Sequence, residues 1–424
     1  MKTNIINGKV WNGLELKKVG IAIENEQIIK VTHEDKLPNA DKIFNAKNNL
    51  IFPGFIDVHT HMRDSTLEYK ENFFTGTSAA VAGGFTTILD MPNTVPPITS
   101  VKELIHRKYT AKNTILCNIG FYCSPLNGKD IKELISEGAI GFKIYLHKPF
   151  ENQNLSNNNI MEIMIEIKKN NSILCVHAED YSFSNNIEST SSNKAEVFAI
   201  NNIIDLVKQI NCKIHFAHIS TYEGLEIIKK HKNELDISCE ATPHHALLDK
   251  NDVSDDFGYC EPKLKEKKDK ESILKGIIDG SIDIISTDHA PHTIVEKKNL
   301  KKPGFPGLET AIPILMDLHD KKIISLKRIC ETLIVNPINR FNLKRIGKIM
   351  PGYKADLVII DPTRVKVIEA SRFFSKAKYS PFDGEKFKGV IMSTFVNGQL
   401  VFNDGQIIAK PGIGNIVHQS RESL

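Results

Sequence analysis

The stretch 54-GFIDVHTHMRD-64 begins as a buried strand and ends on polar residues: an apolar run leads to His59 and His61, with Arg63 two residues further on. Strand side chains alternate between faces, so all three are expected to project the same way. Two imidazoles and a guanidinium side by side at a strand end point to a site. Downstream come seven more short apolar or β-branched runs: TTILDM (86–91), TILCNIGFY (114–122), IGFKIYL (140–146), ILCVHAE (173–179), KIHFAHIS (213–220), ISCEATPH (237–244) and IDIISTDHA (282–290). Stretches of helical period, such as KDIKELISEG (129–138) and YEGLEIIKKH (222–231), lie between most of them. Eight strands alternating with helices predict an α/β fold, a (β/α)8 TIM barrel over residues 53–346, close to the typical length of about 250 residues.

The flanks read differently. Residues 1–52 carry hairpin-like pieces, NGKVWNG (7–13) and IAIENEQIIKV (21–31). Residues 347–424 return to short strands with Asn-Gly and Asp-Gly turns in PGYKADLVIID (351–361) and STFVNGQLVFNDGQ (393–406). The two segments are expected to pair into one small β-sandwich-like domain, and HQSRESL (418–424) to form a loose tail.

Composition narrows the class. The chain has 424 residues, 41% of them hydrophobic, and a net charge of +4, which fit a large globular protein. The densest basic run, KLKEKKDKE (263–271), is interleaved with acids and reads as a solvated loop, so no nucleic-acid partner is expected. Seven cysteines without a C-x-x-C pair imply reduced thiols and a cytoplasmic setting. The polar N-terminus resembles no signal peptide, and no apolar run of about 18 residues suggests a membrane span.

At the C-terminal ends of the expected strands stand His59 and His61, Lys143, His177, His218 and Asp288. All six fall on the rim where barrel active sites are built. A lone histidine on a strand is ordinarily a hydrogen-bonded core residue, the reading given to His215 and His106; four beside a lysine and an aspartate are a ligand set. Neutral imidazoles and a carboxylate suit zinc or a similar divalent ion. One metal would leave ligands over, whereas His59, His61 and Asp288 on one ion and His177 and His218 on another use them all. Two such ions about 3.5–4 Å apart need an anionic bridge; an ammonium cannot supply it, whereas a carbamate on Lys143 would, the other reading being a lysine paired with a nearby acid.

The ordered motifs DVHTHMRD (57–64), GGFTTILDMPNT (83–94), GFKIYL (141–146), VHAED (176–180), FAHIS (216–220), CEATPHHALL (239–248), STDHAPHT (286–293) and PGFPGLET (303–310) resemble those of the amidohydrolase superfamily and, within it, the dihydroorotases. ADLVIID (355–361) and KYSPFDGEKFKG (378–389) extend the resemblance nearly to the end of the chain. It implies two divalent ions, expected as zinc, held by His59, His61, Lys143, His177, His218 and Asp288, with Asp288 also moving protons as the catalytic residue. It further implies substrate contacts from His61, Arg63, Asn93, His292, Pro303 and Gly304, with Arg63 pairing with a carboxylate. The implied small-molecule partners are carbamoyl-aspartate and dihydroorotate; a homodimer and association with aspartate carbamoyltransferase stay open. Hydantoinases, dihydropyrimidinases and allantoinases are the nearest alternative, but their substrates lack the carboxylate that Arg63 would meet. A non-catalytic scaffold is the more distant one. Two departures stand out: Ser65-Thr66 replaces the usual Pro-Gly, and Glu261 occupies a position where the dihydroorotases commonly carry Asn or Arg. Lys263 or Lys265, on a closing loop, is expected to neutralise Glu261 and reach the substrate.

Overall fold

The computed structural model describes residues 1–146, 155–180, 193–254 and 257–419. Eight parallel strands, Phe55–Thr60, Phe85–Asp90, Asn118–Cys123, Gly141–Tyr145, Leu174–His177, Ile214–Phe216, Ile237–Ala241 and Ile284–Ile285, neighbour one another in chain order. Thr60 bridges His289 in parallel, and the His61 N–H donates to the His289 carbonyl at 2.9 Å, so the backbone beyond the last strand closes the ring. These strands are buried on both faces, which is why they read as nearly continuous apolar runs. The outer helices are amphipathic: Asn157–Lys169 buries Ile160, Ile163, Met164 and Ile167, and the Ser156 hydroxyl accepts from the Asn159 N–H at its start.

Several local readings change. The third strand starts at Asn118 and the eighth is only two residues long. His106 is exposed on the helix Val101–Lys112, whose buried face is Leu104, Arg107 and Ala111, three and four residues apart, so it lies off that face and lacks the core role expected of it. The lysine-rich run is not a loop from Lys267 onward. It opens the helix Lys267–Asp279, which buries Asp269, Ile273, Gly276 and Ile277 and leaves its lysines largely on the solvated side.

The terminal segments join in a seven-stranded sheet. Its strand Leu50–Pro53 pairs parallel with Lys9–Trp11 and antiparallel with Leu357–Val367. A four-stranded sheet from the N-terminal segment faces it across a core of Ile5, Ile21 and Ile23 on one side and Val10, Ile51, Leu357 and Phe395 on the other. The expected hairpin turns are present at Asn397-Gly398 and Asp404-Gly405, all four residues having positive φ. Gly54 hands the chain from sheet to barrel, and a Cβ there would collide with the Thr86 side chain.

The C-terminal segment also leaves its sheet twice. The connection after Leu357–Val367 climbs to the barrel rim, where Ser375 Oγ donates to the Glu71 carboxylate. Later, Asn415 and Val417 run under the barrel, the Asn415 carbonyl accepting from Ile119 N at 2.9 Å and Val417 N donating to the Ile119 carbonyl at 2.8 Å. Gln419 meets Ser172 Oγ at 3.4 Å, so the expected tail begins docked; residues 420–424 lie outside the described residues.

Candidate active site

The strand Phe55–Thr60 carries His59 inward, and His61 follows, fixed by its N–H bond to His289. Arg63 arrives differently from the expected pleat: the strand has ended, and Arg63, Asp64 and Ser65 have φ of 48°, 62° and 51°. That turn is held by Asp64, whose carboxylate accepts from Phe73 N at 2.9 Å and whose N–H donates to the Glu71 carbonyl at 3.0 Å. His218 and Asp288 are also left-handed, at 32° and 46°. Such strain in non-glycine residues gathers at functional sites, where surrounding contacts over-determine the backbone.

His59, His61, Arg63, Asn93, His177, His218, Asp288, Pro303 and Gly304 line one cavity at the C-terminal ends of the strands, together with Tyr145 and Glu261. Asp288 Oδ1 lies 3.0 Å from His61 Nε2 and 3.3 Å from His59 Nε2. His59 and His218 have ring centroids 5.1 Å apart, and His218 and His177 4.5 Å. Lys143 is buried among them, with the Cys175 thiol at 3.8 Å and the Tyr145 ring at 5.1 Å from its Nζ. His292 stands behind Arg63, its Nε2 3.3 Å from Arg63 Nη2.

The outer nitrogens are assigned by their partners. His59 Nδ1 meets Glu240 Oε1 at 2.5 Å and His61 Nδ1 meets Asn93 Oδ1 at 2.6 Å, so each Nδ1 carries the hydrogen and each Nε2 offers a lone pair to the centre. Glu240 also accepts from His215 Nε2 at 3.1 Å, which makes His215 the core histidine expected. Burial, with Arg63 and His59 nearby, lowers the His61 pKa to about 4 and keeps the ring neutral. Burial opposes ionisation of Asp288, but the adjacent His59 and His61 rings outweigh it and lower its carboxyl to about 2. His218 is driven well below its usual range by burial and by His177 and Lys143, and its buried Nδ1 has no hydrogen-bond partner among the described residues.

These features fit metal ions. Ligand atoms of His59, His61 and Asp288 lie within 4.8 Å of one another, all buried. A second buried group, His244, His245 and Cys260, meets the same criterion and is likewise consistent with metal binding. It is engaged differently, since His245 Nδ1 meets Thr242 Oγ1 and His245 Nε2 meets the Pro262 carbonyl, both at 2.8 Å, while burial pushes the Cys260 thiol up to about 12.

Three acids in the site escaped sequence reasoning. Glu240 orients His59; Glu179 accepts at 2.9 Å from His177 Nε2; Asp57 accepts from Thr287 Oγ1 at 2.5 Å and from His59 N at 3.1 Å, bracing both ends of the first ligand group. Their one sequence signal is an acid inside an otherwise apolar strand run. Glu261 lines the cavity. Tyr259 Oη donates to Glu261 at 3.1 Å, Lys263 lies over the Tyr259 ring at 5.3 Å, and Lys265 Nζ is 3.9 Å from Glu179. Gly304 lines the cavity, but its N–H donates to the Tyr259 carbonyl at 3.0 Å.

Among the described residues, no helix is long and apolar enough to cross a membrane. The model of the amidohydrolase family matches residues 50–401. The dihydroorotase of Methanosphaera stadtmanae is 33% identical over 93% of this chain and 95% of its own length. That of Ehrlichia canis is 35% identical over 85% of each chain. Among solved structures, the L-hydantoinase (dihydropyrimidinase) of Arthrobacter aurescens aligns with a TM-score of 0.93 at 25% identity, over 98% of this chain and 99% of its own. With the barrel, the buried ligand group and these matches together, the chain belongs to the amidohydrolase family as a dihydroorotase-like, metal-dependent cyclic amidohydrolase.

Proposed function

We propose that the chain catalyses the reversible cyclisation of N-carbamoyl-L-aspartate to L-dihydroorotate, a step of pyrimidine synthesis. The observation that carries this reading is Arg63. Its guanidinium is buried in the cavity wall, where Nε donates to the Pro291 carbonyl at 3.2 Å and Nη2 meets His292, and among the described residues no carboxylate lies within ion-pair distance of it. A buried cation without a counter-ion is costly, and an anionic ligand offsets that cost. The ring carboxylate of dihydroorotate is such a ligand; hydantoin and dihydrouracil lack it.

His59, His61 and Asp288 would hold one divalent ion, zinc being well suited to them, and His177 and His218 a second, with Lys143 between them as a carbamate. When bound, such ions lower the pKa of a water towards neutrality and polarise the ring carbonyl. Asp288, which lies beside His59 and His61, would accept the proton of the attacking water and deliver it to the ring nitrogen as the carbon–nitrogen bond breaks. In cyclisation it takes the ureido proton instead, and water leaves. Asn93 keeps His61 in its productive tautomer, and Arg63 with His292 orients the carboxylate end.

Arg63→Met tests the assignment. Loss of one partner of a buried charge pair costs roughly 2–5 kcal/mol, so kcat/KM for dihydroorotate should fall by at least about 30-fold with metal content retained. A variant as active as the wild type on dihydroorotate would remove the carboxylate role.

A further inference from the structure

We propose that Tyr379, on the connection between the strands Leu357–Val367 and Lys386–Val396, is a positioning residue that makes the site selective for rings bearing a carboxylate. The inference rests on the dihydroorotase reading of Arg63. Tyr379 is buried against Cys260, Leu264, Phe305 and Ala377, far from its own sheet. Its hydroxyl accepts from the His292 N–H and donates to the Gly304 carbonyl, both at 3.2 Å. It thereby ties the backbone behind the Arg63 partner to the neighbouring cavity wall at Gly304. Burial holds the phenol protonated, which keeps the one hydrogen that the Gly304 bond needs.

The second wall is pinned further. The buried Lys297 ammonium donates to the Gly304 carbonyl at 2.8 Å, to that of Lys302 at 3.3 Å and to that of Tyr259. Gly304 has a φ of 132°, and a Cβ there would strike Ala290 at about 2.5 Å, so the two walls touch directly.

The same connection also holds the other half of the carboxylate clamp. Ser375 Oγ and Lys376 N both donate to the Glu71 carboxylate, the latter at 3.3 Å, and the Glu71 carbonyl accepts the Asp64 N–H of the turn that carries Arg63. Ser375 N donates to Glu309 at 3.1 Å, which fixes the connection itself. Arg63 and His292 therefore hang from one segment, through Glu71 and through the Tyr379 hydroxyl. His59 and His61 depend on Glu240 and Asn93 instead, so loss of the hydroxyl should act on binding of the carboxylate end more than on the chemical step.

Tyr379→Phe keeps the ring packing and removes only the hydroxyl. With the wild-type and variant proteins metal-replete, KM for L-dihydroorotate should rise roughly three- to tenfold, the effect of a buried hydrogen bond or two, with a smaller change in kcat. Without substrate, hydrogen exchange measured by mass spectrometry should quicken in peptides covering residues 289–305. Unchanged exchange there overturns the latch whatever the substrate proves to be. Faster exchange with an unaltered KM, or a fall confined to kcat, overturns the selectivity role. If the wild type does not turn over dihydroorotate, the functional reading fails and the selectivity role with it, while the exchange result still decides the latch.

Discussion

Lys143 is the residue on which the proposed two-ion arrangement turns. Its amine is wholly buried with a thiol as hydrogen-bond partner, and among the described residues no carboxylate lies within ion-pair distance. An ammonium there would carry a desolvation cost of several kcal/mol; a carbamate converts the same side chain into an anion facing His177 and His218. Lys143→Ala should therefore retain less metal, and its turnover should fall by at least about 100-fold, with partial rescue by acetate or propionate. Full metal content by elemental analysis and normal turnover in that variant would exclude the bridge. The ring of histidines was legible in the sequence because each sits at the end of an apolar run, where the barrel gathers strand termini. Glu240, Glu179 and Asp57 were not, because nothing in their spacing distinguishes a histidine-orienting acid from a solvated one. Arg63 was picked out for the wrong geometric reason, since a left-handed turn and not the strand pleat brings it to the cavity.

At the scale of elements, Glu309 is the acid that couples the helix Ala311–Asp320 to the climbing connection, accepting from Ser375 N while Lys366 Nζ donates to its carbonyl at 3.1 Å. Burial raises its pKa to about 7, against the partial compensation of Lys366. Between the ordinary glutamate value and about 7 the folded state keeps a proton that the unfolded state has lost. The contribution of Glu309 to stability therefore falls as pH rises through that window and levels off above it. Glu309→Gln should flatten this part of the profile, measured by urea unfolding at several pH values from 5 to 8; an unchanged slope would show that another group sets it. Element type was readable where apolar period and length agreed, as in the helix Tyr222–His231. The lysine-rich run misled because its charges hide the three apolar or small positions, Ile273, Gly276 and Ile277, that seat Lys267–Asp279, and His106 misled because a strand was assumed where the buried spacing is helical.

The whole molecule is tied at both ends of the barrel. Beneath it, Asp356 accepts from Asn118 Nδ2 at 3.0 Å and from Asn397 N at 2.6 Å, while Asn415 N donates to Asn118 Oδ1 at 3.0 Å. At the rim, Ser375 and Tyr379 reach the residues around Arg63 and His292. The alternation of strands and helices disclosed the barrel, and the Asn-Gly and Asp-Gly turns disclosed the paired terminal strands. These crossings were not legible, because a side chain that docks on a distant loop leaves no periodic trace. The barrel is also shared with a hydantoinase, so the fold does not choose the substrate, and the proposed preference for dihydroorotate rests on Arg63. The most direct test is steady-state turnover by the metal-replete wild-type protein with L-dihydroorotate and N-carbamoyl-L-aspartate, set beside hydantoin, dihydrouracil and allantoin. Conversion of the first two with a kcat/KM well above that for any uncharged ring is the predicted result; a preference for hydantoin, dihydrouracil or allantoin would contradict it.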